Sequence, residues 1–142
     1  MAAAALLAAG GLGAGCGSSS HGSSSAARSG PAPSSGAASF VLGRWHGQLH
    51  QRGRAPFDIS VTVGSLTDRA ANPVRYTGIN CGGHWTYLGA SGQTVRFREV
   101  IDSGQSKTCK GVGAVSVTRA GAGLRYEFRG GGVVSRGLLS RG

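Results

Sequence analysis

The sequence predicts an all-β fold, a small eight-stranded antiparallel up-and-down barrel behind a polar N-terminal tail. Apolar and polar residues alternate without a break over Phe57–Val63, and again over 93–99 and 124–129. This alternation is the pattern of half-buried strands. After residue 40, no segment keeps apolar residues at helical spacing for three turns. An open sheet of eight strands would leave two unpaired edges, so we expect closure into a barrel, with a two-sheet sandwich as the alternative.

Length and composition narrow the class of protein. The chain has 142 residues, with 27 Gly and 4 Pro, and 15 Lys+Arg against 5 Asp+Glu give a formal charge of +10. This length accommodates one domain and a tail. The longest uncharged apolar stretch, 1–15, is too short and too rich in Gly and Ala to span a bilayer, which excludes a polytopic membrane protein. We therefore divide the chain into residues 1–16, 17–39 and 40–142.

Residues 1–16 are interpreted as an export signal. An apolar run of small residues ends in Ala14-Gly15-Cys16, which resembles the signal peptide and lipobox of bacterial lipoproteins, in which the cysteine is lipidated. The match is partial, because Gly13 occupies the position of the usual leucine and no Lys or Arg precedes the apolar run. Plain secretion and a flexible Ala/Gly tail are the alternatives. Residues 17–39 are almost entirely Ser, Gly, Ala and Pro, which predicts a flexible linker.

Each strand of the barrel is predicted from a short run between turn formers. The eight runs are 41–50, 57–63, 74–80, 84–89, 94–101, 112–118, 124–129 and 133–139, and Cys81-Gly82-Gly83 is interpreted as a turn. The parity of the alternation assigns an inward set: Trp45, Leu49, Phe57, Ile59, Val61, Val63, Tyr76, Trp85, Tyr87, Val95, Phe97, Ile101, Val115, Val117, Leu124, Tyr126 and Phe128.

Three cysteines are an odd number for an exported protein. Lipidation of Cys16 would leave Cys81 and Cys109 as a pair, and we expect a disulfide between them. Two free thiols or a metal site are the alternatives, but the chain has no C-x-x-C and no zinc spacing. We therefore predict neither a metal nor a cofactor.

A family resemblance rests on the order of several short motifs in residues 40–142. A G-x-W at Gly43–Trp45 is similar to the start of lipocalin-type barrels. The further segments are Tyr76 with Cys81, Phe97–Ile101, Cys109–Gly111 and the final strand ending at Arg141. Together with the G-x-W, these segments resemble small cysteine-paired domains of actinobacterial lipoproteins and of the extracellular regions of some actinobacterial serine/threonine kinases. The resemblance implies a lipocalin- or avidin-like barrel, and it offers no known activity to transfer to this chain.

Glu99 is the one acidic residue whose parity points it inward. The resemblance implies that an arginine of the last strand, Arg136 or Arg141, packs across the Trp45 indole. We expect Glu99 to pair with that arginine, because a buried carboxylate needs a partner, and the trio would then plug one end of the barrel. The alternative places Glu99 at the bottom of a ligand pocket. The pocket would be lined by Tyr76, Trp85 and Tyr126.

The charge after residue 40 is strongly basic, since all but one of the Lys+Arg residues lie there. Parity points several arginines outward while the aromatic residues point inward, so the chain offers no stacking platform for single-stranded nucleic acid. An anionic cell-envelope surface or a protein is the expected partner. A generic basic surface is the alternative. The outward arginines are Arg75, Arg96, Arg98, Arg125 and Arg129.

These observations predict a non-enzymatic lipoprotein domain outside the cytoplasm, lipid-anchored to the cell membrane or secreted, that acts as a binding or interaction module. The alternative is a lipocalin-like carrier of a small apolar ligand. A barrel plugged by its own side chains would favour the first function, and an empty calyx would favour the second. An enzyme would need a cleft that gathers His84, Glu99 and a serine.

We expect Cys16 to carry diacylglycerol in the native host, because it lies between an apolar run and a polar segment. Cys16→Ser should release the protein from the membrane fraction and abolish the corresponding mass increase. Equal membrane retention of the Cys16→Ser protein, with no mass difference, would contradict the anchor.

Overall fold

The structure is a computed structural model that describes residues 35–104, 109 and 111–142. Residues 1–34, which include the expected export signal and most of the expected linker, lie outside the described residues. The described chain begins with a short 3-10 helix, η1 (Ser35–Val41), and a second one, η2 (Arg69–Ala71), precedes the third strand. The strands are β1 (Gly43–Gln51), β2 (Phe57–Val63), β3 (Pro73–Thr77), β4 (Cys81–Ser91), β5 (Thr94–Gly104), β6 (Val112–Ala120), β7 (Gly123–Gly130) and β8 (Val133–Arg141).

The strands form a closed barrel in chain order, and every pair is antiparallel. The first and last strands close it, in a register that runs from Trp45↔Arg141 to Gln51↔Ser135. The predicted up-and-down barrel is therefore confirmed, and the sandwich alternative is excluded. Closure leaves no unpaired sheet edge, which removes a route to aggregation.

The core lies inside the barrel and consists of the side chains that alternate inward. Most of the predicted inward set is buried, and the buried residues also include Ala38, Val41, Val74 and Leu139. Tyr87 and Ile101 are only partly buried. For Tyr87 the reason is an irregularity in the β4–β5 register between Tyr87 and Gly89, which interrupts the alternation that the prediction assumed.

Two local predictions differ from the structure. Residues 35–39, which were assigned to the linker, belong to η1, which buries Ala38 and Val41. The predicted turn at Cys81–Gly83 is instead the start of β4. The chain turns at Gly78 and Asn80, which both have positive φ. Gly83 serves close packing rather than a turn, since a Cβ there would collide with the Val100 carbonyl.

One end of the barrel, which we call the capped end, is covered by η1. The Trp45 indole nitrogen donates to the Val41 carbonyl at 2.7 Å. The Arg141 guanidinium lies 4.6 Å from the centroid of the Trp45 ring and donates to the Leu42 carbonyl at 3.2 Å. Arg119 lies 4.7 Å from the centroid of the Phe40 ring of η1. These contacts fasten η1 to strands β1, β6 and β8.

The opposite end, which we call the open end, carries a disulfide between Cys81 and Cys109. The two Cα atoms are 5.9 Å apart, and the residues are 28 positions apart in the sequence. The expected pairing is therefore confirmed.

Among the described residues, no helix has the length and apolar character needed to cross a membrane.

Replacing both cysteines, as Cys81→Ser with Cys109→Ser, should lower the free energy of unfolding by about 3–4 kcal/mol, because the bond closes a loop of this size in the unfolded chain. Chemical denaturation of the variant and of the parent, both without reductant, measures the difference. Two alkylatable thiols at these positions in folded, exported protein would contradict the pairing.

Candidate functional site

A cavity of ≈ 230 Å³ occupies the open end of the barrel. Its walls come from the inner faces of several strands and from the loops beside them, and they are mostly apolar or aromatic. The lining residues are Leu49, Gln51, Arg54, Phe57, Tyr76, Ile79, Cys81, Glu99, Ile101, Cys109, Tyr126, Phe128, Val133 and Ser135. The barrel is thus neither plugged throughout nor hollow throughout.

The filled part of the interior and the cavity lie toward opposite ends of the barrel. Toward the capped end, Trp45, Leu124 and Leu139 fill the interior together with the η1 residues. At the open end, β8 contributes a small inward residue, Ser135, whose hydroxyl donates to the side-chain oxygen of Gln51 at 2.8 Å. The cavity wall thus has polar groups from strand ends, Gln51 and Ser135, and one from the β1–β2 loop, Arg54.

Glu99 lies on the wall midway along β5, where it pairs with Trp85 of β4 and Gly113 of β6. Its side chain is 2% exposed. The Trp85 indole nitrogen donates to Glu99 Oε2 at 2.7 Å, and the Tyr76 hydroxyl donates to the same oxygen. Tyr76 has one hydroxyl proton, so Tyr126 is the donor in the 3.0 Å bond between the two tyrosine oxygens. Both bonds to the carboxyl group therefore use a single oxygen.

The electrostatics of this group follow from burial. Loss of solvent raises the pKa of Glu99, and the hydrogen bonds from Tyr76 and Trp85 oppose that rise because they stabilise the ionised form. Burial also raises the pKa of Tyr76 and of Tyr126 well above the ordinary tyrosine value, so both hydroxyls stay neutral. The site is a hydrogen-bonded network whose one acidic group titrates above its usual range.

The predicted trio of Trp45, Glu99 and an arginine does not form. Arg141 stacks on Trp45 at the capped end, whereas Glu99 contacts Tyr76 and Trp85 beside the cavity. Arg136 faces outward and donates to Glu127 at 2.7 Å. The physical reason is the register of the closed barrel, which places the end of β8 opposite the start of β1 and far along the axis from the middle of β5.

The predicted pocket residues are partly brought together. Tyr76 and Tyr126 line the cavity, but Trp85 does not. Trp85 is 1% exposed and is stacked on Tyr126 with ring centroids 5.9 Å apart. Phe57 and Phe128 were predicted only as core residues and prove to be cavity walls. The inward parity of the strand ends was the signal for them, but parity does not distinguish a filled interior from an empty one.

Other groupings that were considered are not assembled. His84 lies on β4 with its Nδ1 atom 2.8 Å from Asp102 Oδ2, and neither residue lines the cavity. Across residues 35–104, 109 and 111–142, no three His, Cys, Asp or Glu side chains are placed to hold a metal ion.

The outer surface carries arginines on β3, β5 and β7, and Arg75, Arg96, Arg98, Arg125 and Arg129 are all exposed. Arg129 is paired with Glu127 at 2.5 Å. Within the described part of the chain, Arg96, Arg98 and Arg125 form no salt bridge. We call these three residues the outer basic face.

The chain matches no protein-family model, no curated protein and no solved structure. The site is therefore interpreted from its own geometry.

Glu99→Gln should change how stability depends on pH. Because burial raises the pKa of Glu99, the folded protein retains this proton to a higher pH than the unfolded chain does. The wild type should therefore lose stability as pH rises from about 4.3, the ordinary glutamate pKa, to the raised pKa of the folded protein. The loss of free energy of unfolding should be about 1.4 kcal/mol per pH unit between these two values. The glutamine variant should lack this loss. Urea denaturation between pH 4 and pH 8 measures both profiles.

Glu127→Gln is the matched control, because Arg129 and Arg136 lower the pKa of Glu127. Its contribution to stability is present at neutral pH and lost in acid, so the Glu127→Gln profile should run parallel to that of the wild type from neutral pH down to about 4.3 and converge with it only at lower pH. Parallel profiles for Glu99→Gln and the wild type over the whole range would show that Glu99 is not desolvated.

Proposed function

We propose that this domain is a non-enzymatic binding module that holds a small, mostly apolar ligand in the cavity at the open end. The observation that carries the proposal is the cavity of ≈ 230 Å³ with Glu99, Tyr76 and Tyr126 in its wall. A few polar groups in an otherwise apolar concave wall are typical of ligand sites. Of the two functions predicted from the sequence, the cavity favours the carrier over the protein-interaction module.

The size of the cavity limits the ligand. A cavity of about 150 Å³ holds benzene, so by proportion this one suits a molecule of about nine non-hydrogen atoms. It is smaller than the sites of most drug-sized ligands, which start at about 300 Å³. The ligand class is therefore a compact ring or a short chain, rather than a long acyl chain or a macrocycle.

We also propose an extracytoplasmic location, with the domain anchored through a lipid on Cys16. The Cys81–Cys109 disulfide supports the compartment, because such bonds persist in oxidising environments. The support for the anchor is the signal-like sequence that ends at Cys16. A membrane-tethered binder of small molecules could capture or deliver its ligand at the cell envelope.

The neutral probe 2-phenylethanol, whose size suits the cavity, should bind the full-length protein with a stoichiometry of one. Ile101→Trp adds an indole to the cavity wall and should weaken this binding about tenfold or more, since the ligand and the new ring compete for the same volume. Calorimetric titration measures both affinities.

Val112→Trp is the matched control, because Val112 is 49% exposed and lies outside the cavity. It should bind the probe as the wild type does. If Ile101→Trp binds the probe as tightly as Val112→Trp, the ligand does not occupy this cavity and the proposal is wrong.

The outer basic face supports a second proposed contact, with an anionic cell-envelope surface. Arg96 and Arg98 of β5 lie opposite Ser116 and Ala114 of β6, Arg125 of β7 lies opposite Thr118 of β6, and all three arginines are exposed. Guanidinium groups bind phosphate oxygens well. The contact is solvent-exposed, so it should be weak and sensitive to salt.

The Cys16→Ser protein should bind vesicles that contain phosphatidylglycerol but not vesicles of phosphatidylcholine alone. Binding should disappear as salt approaches 1 M, where the screening length falls to about 3 Å. Replacing Arg96, Arg98 and Arg125 by Gln should abolish it in a sedimentation assay. Binding that persists at 1 M salt would show that the contact is not electrostatic.

A further inference from the structure

The wall of the cavity contains a carboxyl group, that of Glu99, which has no cationic partner among the described residues. Both hydrogen bonds that Glu99 accepts go to Oε2, and Oε1 makes none with any described residue. The salt bridges of the described residues involve Glu127 and Asp102 but not Glu99. Buried ionised groups in proteins are normally paired. Glu99 lines the cavity, so a ligand is positioned to supply the missing partner.

Aromatic rings make up much of the remaining wall. Phe57 of β2, Tyr76 of β3, and Tyr126 and Phe128 of β7 all line the cavity. Phe57 and Tyr76 meet edge to face, with centroids 6.0 Å apart. The face of an aromatic ring attracts cations, and rings gathered around a cavity are used to bind organic ammonium groups. The rings and the Glu99 carboxylate therefore favour the same kind of ligand.

We propose that the cavity selects a small organic cation, a primary or alkylated ammonium on a compact apolar body, with the ammonium group at Glu99 and the body among the phenyl rings. This proposal rests on the proposed function, because it specifies the ligand of the same cavity. A neutral ligand would leave the carboxylate without a counter-charge. A carboxylate ligand would place a second negative charge beside Glu99. Among the described lining residues, Arg54 is the one arginine available to offset that charge.

The outer charge of the protein does not decide between these ligands. The exposed arginines repel cations, but salt screens this repulsion over distances beyond about 8 Å at physiological ionic strength, whereas a buried pair is screened much less. Short-range contacts inside the cavity therefore determine the preference.

Three probes of similar size test the charge preference on the full-length protein by calorimetric titration at neutral pH: phenethylammonium, 2-phenylethanol and phenylacetate. The wild type should bind the ammonium about tenfold or more tightly than the alcohol, as expected for a hydrogen bond between charged groups. Phenylacetate should bind most weakly.

Two variants that change the net charge equally complete the test. Glu99→Gln keeps a side-chain acceptor for Tyr76 and Trp85 but removes the negative charge, so it should lose the preference for the ammonium while it still binds the alcohol. Glu127→Gln removes a negative charge from the outer surface and should keep the preference. The order of the three affinities in the wild type remains decisive if Glu99→Gln does not fold.

The outcomes separate the two proposals. If the alcohol binds as tightly as the ammonium in the wild type, or if Glu99→Gln keeps the ammonium preference, the cation proposal is wrong and the binding function stands. If none of the three probes binds, the proposed function fails as well.

Discussion

The pairing of the first strand with the last is the constraint on which the rest of this domain depends. It runs from Trp45↔Arg141 at one end to Gln51↔Ser135 at the other. Without it, β1 and β8 would be exposed edges of an open sheet. The same register places Arg141 over the Trp45 ring, where both contact η1, and brings the small residue Ser135 beside Gln51 in the cavity wall. One interstrand pairing thus determines both the cap and part of the cavity.

Glu99 lies between the filled interior at the capped end and the cavity at the open end. Burial of its carboxyl group is unfavourable, and donors from two other strands, Tyr76 on β3 and Trp85 on β4, compensate for part of that cost. Tyr126 on β7 extends the network through Tyr76. A fully satisfied structural network would use both carboxyl oxygens. The use of only Oε2 toward the described protein is the observation on which the ligand proposal for Glu99 rests.

Local rules predicted most of the fold. Period-two alternation identified the eight strands and assigned Glu99, Tyr76 and Tyr126 to the interior, because alternation depends on neighbouring residues alone. The rules failed where contacts are not local. Cys81–Gly83 was predicted as a turn because glycines are typical of turns, but the glycines permit close packing of β4 against β5. Residues 35–39 of η1 were assigned to the linker because they are Ser, Gly and Ala.

The sequence by itself therefore determined the strands, the inward faces, the cysteine pair and the single inward carboxylate of this protein. Only the tertiary structure decided which groups meet that carboxylate and where the barrel is empty. The prediction paired Glu99 with an arginine of β8, but Arg141 lies at the capped end and Arg136 faces outward to Glu127. The physical reason is that closure fixes the stagger between strands, and this stagger sets which residues lie across the interior at each level of the barrel.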